Sequence, residues 1–386
     1  GIGPSLEGHV VPLQGGVSVD FSRMNRILEI DERNLLATVE PGVTRTQLNE
    51  ALRATGLMFT VDPGADATIG GMTATRASGT NAVRYGTMKD NVLALEAVMA
   101  DGRIIRTGSR AKKTAAGYDL TRLLVGSEGT LGIITELTLK LYGVPEMIAG
   151  GICSFPSIEA ACNAVITTIQ YGIPVSRIEL LDEVQVRACN RYSGLELPES
   201  PLLLLEFHGT EAGVAEQAEL FTSIAGDFTD AEFVWTTDAA ERKKLWKARH
   251  DAYFATMNLM PGGSGVSTDV CVPISRLAEC VNETHQDIQD AGLLSTIVGH
   301  VGDGNFHCMP LAMPDDKDMN ARISKFVERL SERAIRMGGT CTGEHGIGQG
   351  KQQYLLEEMG ESVEFMKMIK TTFDPKGIMN PGKIFF

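Results

Sequence analysis

The sequence predicts a two-domain α+β protein, and three observations carry that reading. The chain has 386 residues, more than one hydrophobic core usually serves. Up to about residue 143, short apolar strands alternate with glycine-rich turns. Beyond Gly143-Val-Pro-Glu146 the texture changes to longer helices with strands between them. The expected domains are therefore 1–144 and 145–386, the last stretch, 340–386, being again punctuated by glycine.

Within the first half, Thr44-Arg45-Thr46-Gln47 has the capping-box pattern and opens a helix through Leu48, Ala51 and Leu52 that stops at Gly56. Residues 93–99 and 103–107 flank Asp101-Gly102, which spells a hairpin with a two-residue primed turn. Leu137, Leu139 and Leu141 alternate with Thr138 and Lys140, as in a half-buried strand. In the second half, helices are expected over 158–171, 212–225, 239–257, 277–291 and 321–337, with strands at 202–207 and 295–300.

A hydrophobic fraction of 43% with 22% charged residues describes a water-soluble globular body. No run of about 18 apolar residues appears, so no membrane span is expected. With 35 basic against 49 acidic residues the formal charge is -14, which opposes binding to nucleic acid or to an anionic membrane. An anionic substrate would then need a local cationic anchor. Seven cysteines without a C-x-x-C pair suit a reducing compartment better than a disulfide framework or a zinc knuckle. The chain opens on Gly1 in a glycine-rich loop with no strand before it, as a chain lacking an N-terminal segment would. The expected compartment is cytoplasmic in a bacterial setting, and mitochondrial in a eukaryotic one with the targeting segment outside this chain.

Three glycine-rich pieces follow one another. The first, Gly1-Ile2-Gly3-Pro4-Ser5-Leu6-Glu7-Gly8, lacks the G-x-G-x-x-G spacing and any surrounding βαβ unit, which argues against a Rossmann nicotinamide site. Glycines at this density still let backbone N–H groups converge on a pyrophosphate. The second runs from Pro63-Gly64 through Gly70-Gly71 to Gly79 and Gly86. Small residues over two dozen positions build no core, and a flat cofactor lying on the backbone accounts for the space beside them. The third is Gly126-Ser127-Glu128-Gly129-Thr130-Leu131-Gly132, ahead of a strand from Ile133.

In this order the three pieces resemble the FAD-binding domain of the vanillyl-alcohol oxidase and p-cresol methylhydroxylase group (PCMH-type). With the downstream motifs the chain is most similar to the D-lactate dehydrogenase and glycolate oxidase large-subunit branch, over essentially its whole length. The resemblance implies a two-subdomain FAD-binding domain followed by an α+β substrate (cap) domain of ferredoxin-like character. It implies FAD with its pyrophosphate over the loop of Gly1, Gly3, Pro4, Ser5 and Gly8 and over Gly70-Gly71. Further contacts would come from the Pro63-Gly64 stretch, Gly79, Gly86, Glu128, Gly132 and Ile134. Members that attach flavin covalently often carry a histidine in the first loop, where this chain has Pro4, so non-covalent FAD is expected.

Downstream stands Ile297-Val-Gly-His300-Val-Gly-Asp303-Gly304-Asn-Phe-His307-Cys-Met-Pro-Leu311. Two apolar arms around Asp303-Gly304 read as a second two-residue hairpin, which would set His300 directly opposite His307. Cross-strand partners share a face at about 4.5–5.5 Å between Cβ atoms, close enough for two imidazoles to grip one ion. Cys308 would point to the other face and is not counted as a ligand. Thr342-Gly343-Glu344-His345-Gly346 adds a carboxylate and a third imidazole. Two histidines with one carboxylate leave coordination positions open, the condition of a catalytic zinc, manganese or iron(II) site. His9, His208, His250 and His285 have no motif around them and read as structural.

Oxidising a C–OH group sends a hydride to a flavin and a proton to a base. The resemblance makes His345 that base and Glu344 its neighbouring ligand, beside His300 and His307. It also puts the substrate carboxylate on Arg249 in Leu245-Trp-Lys-Ala-Arg249-His-Asp-Ala, where a planar guanidinium suits the task. Met309, two residues after His307, favours a short side chain such as that of lactate over a dicarboxylic acid. Asn380, in Asn380-Pro-Gly-Lys383, resembles a terminal motif that returns to the flavin ring. The reading is therefore an FAD- and metal-dependent dehydrogenase of a small D-2-hydroxy acid, most simply D-lactate, with a quinone, a cytochrome or an electron-transfer flavoprotein as acceptor. A homodimer stays open as its assembly. The alternatives are the catalytic flavin subunit of a glycolate oxidase complex, a flavin-free metal hydrolase, and an idle flavin-binding module.

Overall fold

The computed structural model describes residues 1–385. The chain forms two compact units, one of Gly1–Val144 joined by the segment from Glu344 onward, the other of Pro145–Gly343. The first unit is built on a five-stranded antiparallel sheet in the order Ile27–Asp31, Leu36–Val39, Ile133–Lys140, Val92–Val98 and Ile104–Gly108. The alternation expected at 137–141 is realised in part: Leu137, Leu139 and Leu141 enter the core and Lys140 stays half-buried, but Thr138 is buried as well. That core continues through Val39, Leu48, Leu52 and Met72.

Two local expectations in this unit need correction. Thr44 Oγ1 caps the helix Arg45–Leu52 by accepting from the Gln47 amide at 3.1 Å. The Gln47 side chain, however, donates to Asn25 O at 3.0 Å and not back to the cap, so only half of the capping box exists. The hairpin around Asp101-Gly102 has three loop residues instead of two, because Met99 N–H donates to Arg103 O at 2.9 Å. A primed turn needs positive φ at both central residues. Gly102 supplies it at +86°, but Asp101 stays on the ordinary side and its carboxylate accepts the Arg103 amide at 3.0 Å.

The second unit holds a seven-stranded sheet in the order Val234–Thr236, Met147–Ser154, Leu202–Gly209, Val175–Leu181, Ile297–Gly299, Asn305–Cys308 and Val270–Cys271. Leu202–Gly209 is buried at nearly every position, as its unbroken apolar start requires of an internal strand covered on both faces. Glu206 and His208 within it answer each other at 2.8 Å. The helices Ile158–Gln170, Glu211–Ala225 and Leu277–Asp290 fall close to their expected bounds. Expected helix 239–257 is two helices, Ala239–His250 and Ala252–Met257. Asp251 closes one and opens the next, its carboxylate drawn to Ser193 Oγ at 2.5 Å and to Lys247. Expected helix 321–337 starts earlier, at Lys317, because Asp316 caps it by accepting the Met319 amide at 2.9 Å. Among the described residues no helix is long and apolar enough to cross a membrane.

Candidate active site

His300 and His307 lie in the second unit. The two-residue turn between them is absent: residues Val301–Asp303 form a short 3-10 turn and Gly304 closes it at φ +79°. As at the earlier Asp-Gly pair, only the glycine is left-handed, so the loop lengthens. Val298, not His300, stands opposite His307. The pairing has moved by two residues, and an even shift returns every side chain to the same face. His300 therefore still shares a face with His307, as a diagonal neighbour with ring centroids 5.6 Å apart and planes at 84°.

Each ring is held through Nδ1. His300 Nδ1 lies 2.6 Å from Glu179 Oε1, and His307 Nδ1 lies 2.9 Å from Thr268 O. Carboxylate and carbonyl only accept, so both Nδ1 atoms carry the proton and the basic lone pair is on Nε2 in each ring. Metal-ligating histidines are oriented this way by their surroundings. Asp269 stands 3.7 Å from His307 Nδ1 and is itself held by Asn305 Nδ2 at 2.7 Å and Thr342 Oγ1 at 2.8 Å. Cys308 is fully buried, and burial pushes its thiol up.

Glu179 was not singled out in the sequence. Its side chain is 0% exposed, with Oε1 on His300 and Oε2 on Arg249 Nε at 2.6 Å. Burial alone pushes this carboxyl up; its neighbours His300 and Arg249, both of which donate to it, outweigh burial and hold it below the usual glutamate range. The available signal was one acid set among Ile178, Leu180 and Leu181 in the strand Val175–Leu181, since an unpaired buried charge is too costly to be incidental. Arg249 sits in the last turn of Ala239–His250 with its side chain 18% exposed. With Nε committed to Glu179, its Nη1/Nη2 edge is the part shaped for a carboxylate. Met309 is buried and packs against Gly265.

Glu344 and His345 belong to the first unit. Both are half-buried, with His345 Nε2 4.0 Å from Glu344 Oε1. Their loop is clamped by Glu128, whose carboxylate accepts the Ile347 and Gly348 amides at 2.8 Å each. Gly346 must be glycine: its φ is +83°, and a Cβ there would meet Glu128 Oε1 at 2.7 Å and His9 Nε2 at 2.8 Å. His9 is thus less isolated than its sequence context suggested. It is buried against this loop with Nε2 3.3 Å from Glu128 Oε2, and neither of its ring nitrogens makes a hydrogen bond.

The glycine pieces meet within the first unit. A Cβ on Gly1 would lie 2.7 Å from Thr68 Oγ1, which brings the first loop against the second piece. Gly126 and Glu128 amides donate to Thr73 O and Ala74 O at 2.9 and 2.8 Å, which brings in the third. Gly1, Gly3, Pro4, Gly64 and Gly71 are exposed, Ser5, Gly8, Pro63, Gly70 and Gly86 half-buried, and Gly79, Gly132 and Ile134 buried. Gly70 has a packing duty of its own, with its amide on Pro41 O at 2.9 Å and no room for a Cβ beside Pro41. Asn380 spends its amide protons on Glu128 O at 2.6 Å and His9 O at 3.1 Å, pinning the C-terminal segment to the third piece and the first loop. Exposed backbone beside a glycine-lined wall is the surface a flat, anionic cofactor needs, so the residues present fit FAD.

Residues 144–384 match the family of FAD linked oxidases, C-terminal domain, and residues 1–108 match the FAD binding domain. The chain belongs to the FAD-linked oxidases, and FAD is its cofactor. It is 52% identical to the probable mitochondrial D-lactate dehydrogenase of Danio rerio, covering 100% of this chain and 78% of that protein. It is 46% identical to the mitochondrial D-lactate dehydrogenase [cytochrome] of Arabidopsis thaliana, over 98% of this chain and 67% of that one. Among solved structures, substrate-bound p-cresol methylhydroxylase aligns with a TM-score of 0.75 at 18% identity, over 94% of this chain and 78% of that chain, a likeness of fold alone. The flavin-free hydrolase reading falls with this membership.

Proposed function

We propose that this chain is an FAD-dependent dehydrogenase that oxidises D-lactate to pyruvate and passes the electrons to an acceptor other than a nicotinamide. The observation that carries the reading is the buried pair His300 and His307, each fixed with its lone pair on Nε2, with Arg249 fastened to His300 through Glu179. The names of the zebrafish and Arabidopsis relatives support the same substrate, and the second names a cytochrome as acceptor.

His300, His307 and Glu344 are the ligands we assign to one divalent ion, zinc, manganese or iron. FAD when bound takes the hydride from the substrate carbon, and the ion when bound polarises the hydroxyl. Arg249 holds the substrate carboxylate on its Nη1/Nη2 edge. His345 takes the hydroxyl proton on a ring nitrogen. Glu128 keeps the His345 loop in place through the Ile347 and Gly348 amides. The loop of Gly1, Gly3, Pro4, Ser5 and Gly8, together with Gly70-Gly71, carries the pyrophosphate, with Pro63, Gly64, Gly79, Gly86, Gly132 and Ile134 along the rest of the cofactor. Asn380 acts on the flavin side by holding the C-terminal segment to Glu128.

Pro4 offers no nucleophile, so the flavin is held without a covalent bond. Acid precipitation should leave the yellow colour in the supernatant; a yellow pellet after washing would contradict this. Substrate range tests the function itself. In a dye-coupled assay, D-lactate should exceed D-2-hydroxyglutarate in kcat/KM by about tenfold or more, since apolar Met309 offers a second carboxylate no partner. A preference for the dicarboxylic acid, or for L-lactate, would overturn the assignment.

A further inference from the structure

The geometry points to Glu179 as the positioning residue that serves both halves of the substrate grip, fixing His300 for the metal and Arg249 for the substrate carboxylate. The inference rests on the function proposed above and goes beyond it by naming the residue that couples the two contacts. Strand Val175–Leu181 pairs with Ile297–Gly299 so that Leu181 faces Val298 and Leu180 faces Gly299. The ladder ends there, and His300 follows the last paired residue, which leaves its ring within reach of Glu179, the residue next to Leu180. Glu179 divides its oxygens, Oε1 to His300 Nδ1 and Oε2 to Arg249 Nε, each at 2.6 Å.

The division has a chemical consequence. A carboxylate with both oxygens engaged accepts two N–H groups at once, which no neutral side chain of this length does. Glutamine has one oxygen and one NH₂ group, so it must face either His300 N–H or Arg249 N–H with a donor. Facing His300, it drives the proton to Nε2 and removes the lone pair the ion needs. Facing Arg249, it releases the guanidinium from the orientation that presents Nη1 and Nη2. A purely structural part, neutralising a buried arginine, predicts a different pattern: lost stability with metal affinity untouched.

The experiment uses the FAD-loaded full chain, stripped of metal with chelator, and reads Mn²⁺ binding from the EPR signal of the free ion, with no turnover required. Glu179→Gln is expected to weaken Mn²⁺ binding about 10–100-fold. At saturating Mn²⁺ it should also raise the KM for D-lactate about tenfold, with FAD content unchanged. Arg249→Met separates the two contacts. In that background the glutamine oxygen has only His300 N–H to accept, so Glu179→Gln should add nothing further to KM and should cost less Mn²⁺ affinity than it does alone. Glu179→Asp, which reaches only one partner, should recover one property and not the other. Mn²⁺ affinity within twofold of the parent together with an unchanged KM in Glu179→Gln overturns the inference, as does a parent that binds no divalent ion. If the parent binds Mn²⁺ but no 2-hydroxy acid reduces its flavin, the proposed function fails, while the Mn²⁺ comparison still decides what Glu179 does for His300.

Discussion

Replacing His345 with alanine is expected to slow reduction of the bound flavin by D-lactate about 10²–10⁴-fold, the range for a lost general base. FAD should remain bound, because Glu128 holds this loop through backbone amides that the substitution leaves in place. Anaerobic stopped-flow at 450 nm, a wavelength of roughly maximal flavin absorbance, separates the two effects: amplitude reports flavin and rate reports chemistry. Near-normal reduction in this variant would remove His345 from the proton-transfer role.

The second large effect is expected at the imidazole pair. His300→Ala together with His307→Ala should lower kcat by about 10²-fold or more, the scale of losing a preorganised electrophile beside a developing alkoxide. Chelation of the parent should reproduce the loss, and added Mn²⁺ or Zn²⁺ should reverse it there but not in the double variant. A double variant that keeps parental kcat, or a parent indifferent to chelator, would show the oxidation proceeding without an ion at these residues. The imidazoles are buried but small, and Glu179 and Thr268 are left facing the gap. Thermal stability should therefore fall by a moderate amount while FAD is retained.

The sequence carried the broad pattern of the fold because its signals were periodic. Leu137, Leu139 and Leu141 declare a buried face, and the run from Leu202 declares a strand covered on both sides. Turn geometry was less legible, and both failures have one cause. Asp101-Gly102 and Asp303-Gly304 were each read as two-residue primed turns, but in each only the glycine takes positive φ. The aspartate finds a cheaper use, which at Asp101 is the Arg103 amide. The expected face of His300 survived because the resulting register shift was even. An odd shift would have sent it to the opposite side of the sheet.

The candidate ligands could be read because histidines set among glycines are conspicuous; what orients them could not. Thr268 contributes a carbonyl, which has no sequence signature. Asp269, 3.7 Å from His307 Nδ1, is held in place by Asn305 and Thr342, residues distant in sequence. Glu179 alone left a trace, as an acid among Ile178, Leu180 and Leu181. The break at Asp251 was invisible for a similar reason, since the helical pattern continues through it and Ser193 Oγ, at 2.5 Å, comes from another element.

The most direct measurement of the central claim is anaerobic bleaching of the bound flavin by single 2-hydroxy acids, with and without chelator. D-lactate should bleach the flavin within the turnover time and yield one pyruvate per flavin, L-lactate should leave it yellow, and chelator should halt the D-lactate reaction. Bleaching by L-lactate alone, or bleaching by D-lactate that is unchanged in metal-free protein, would contradict the account.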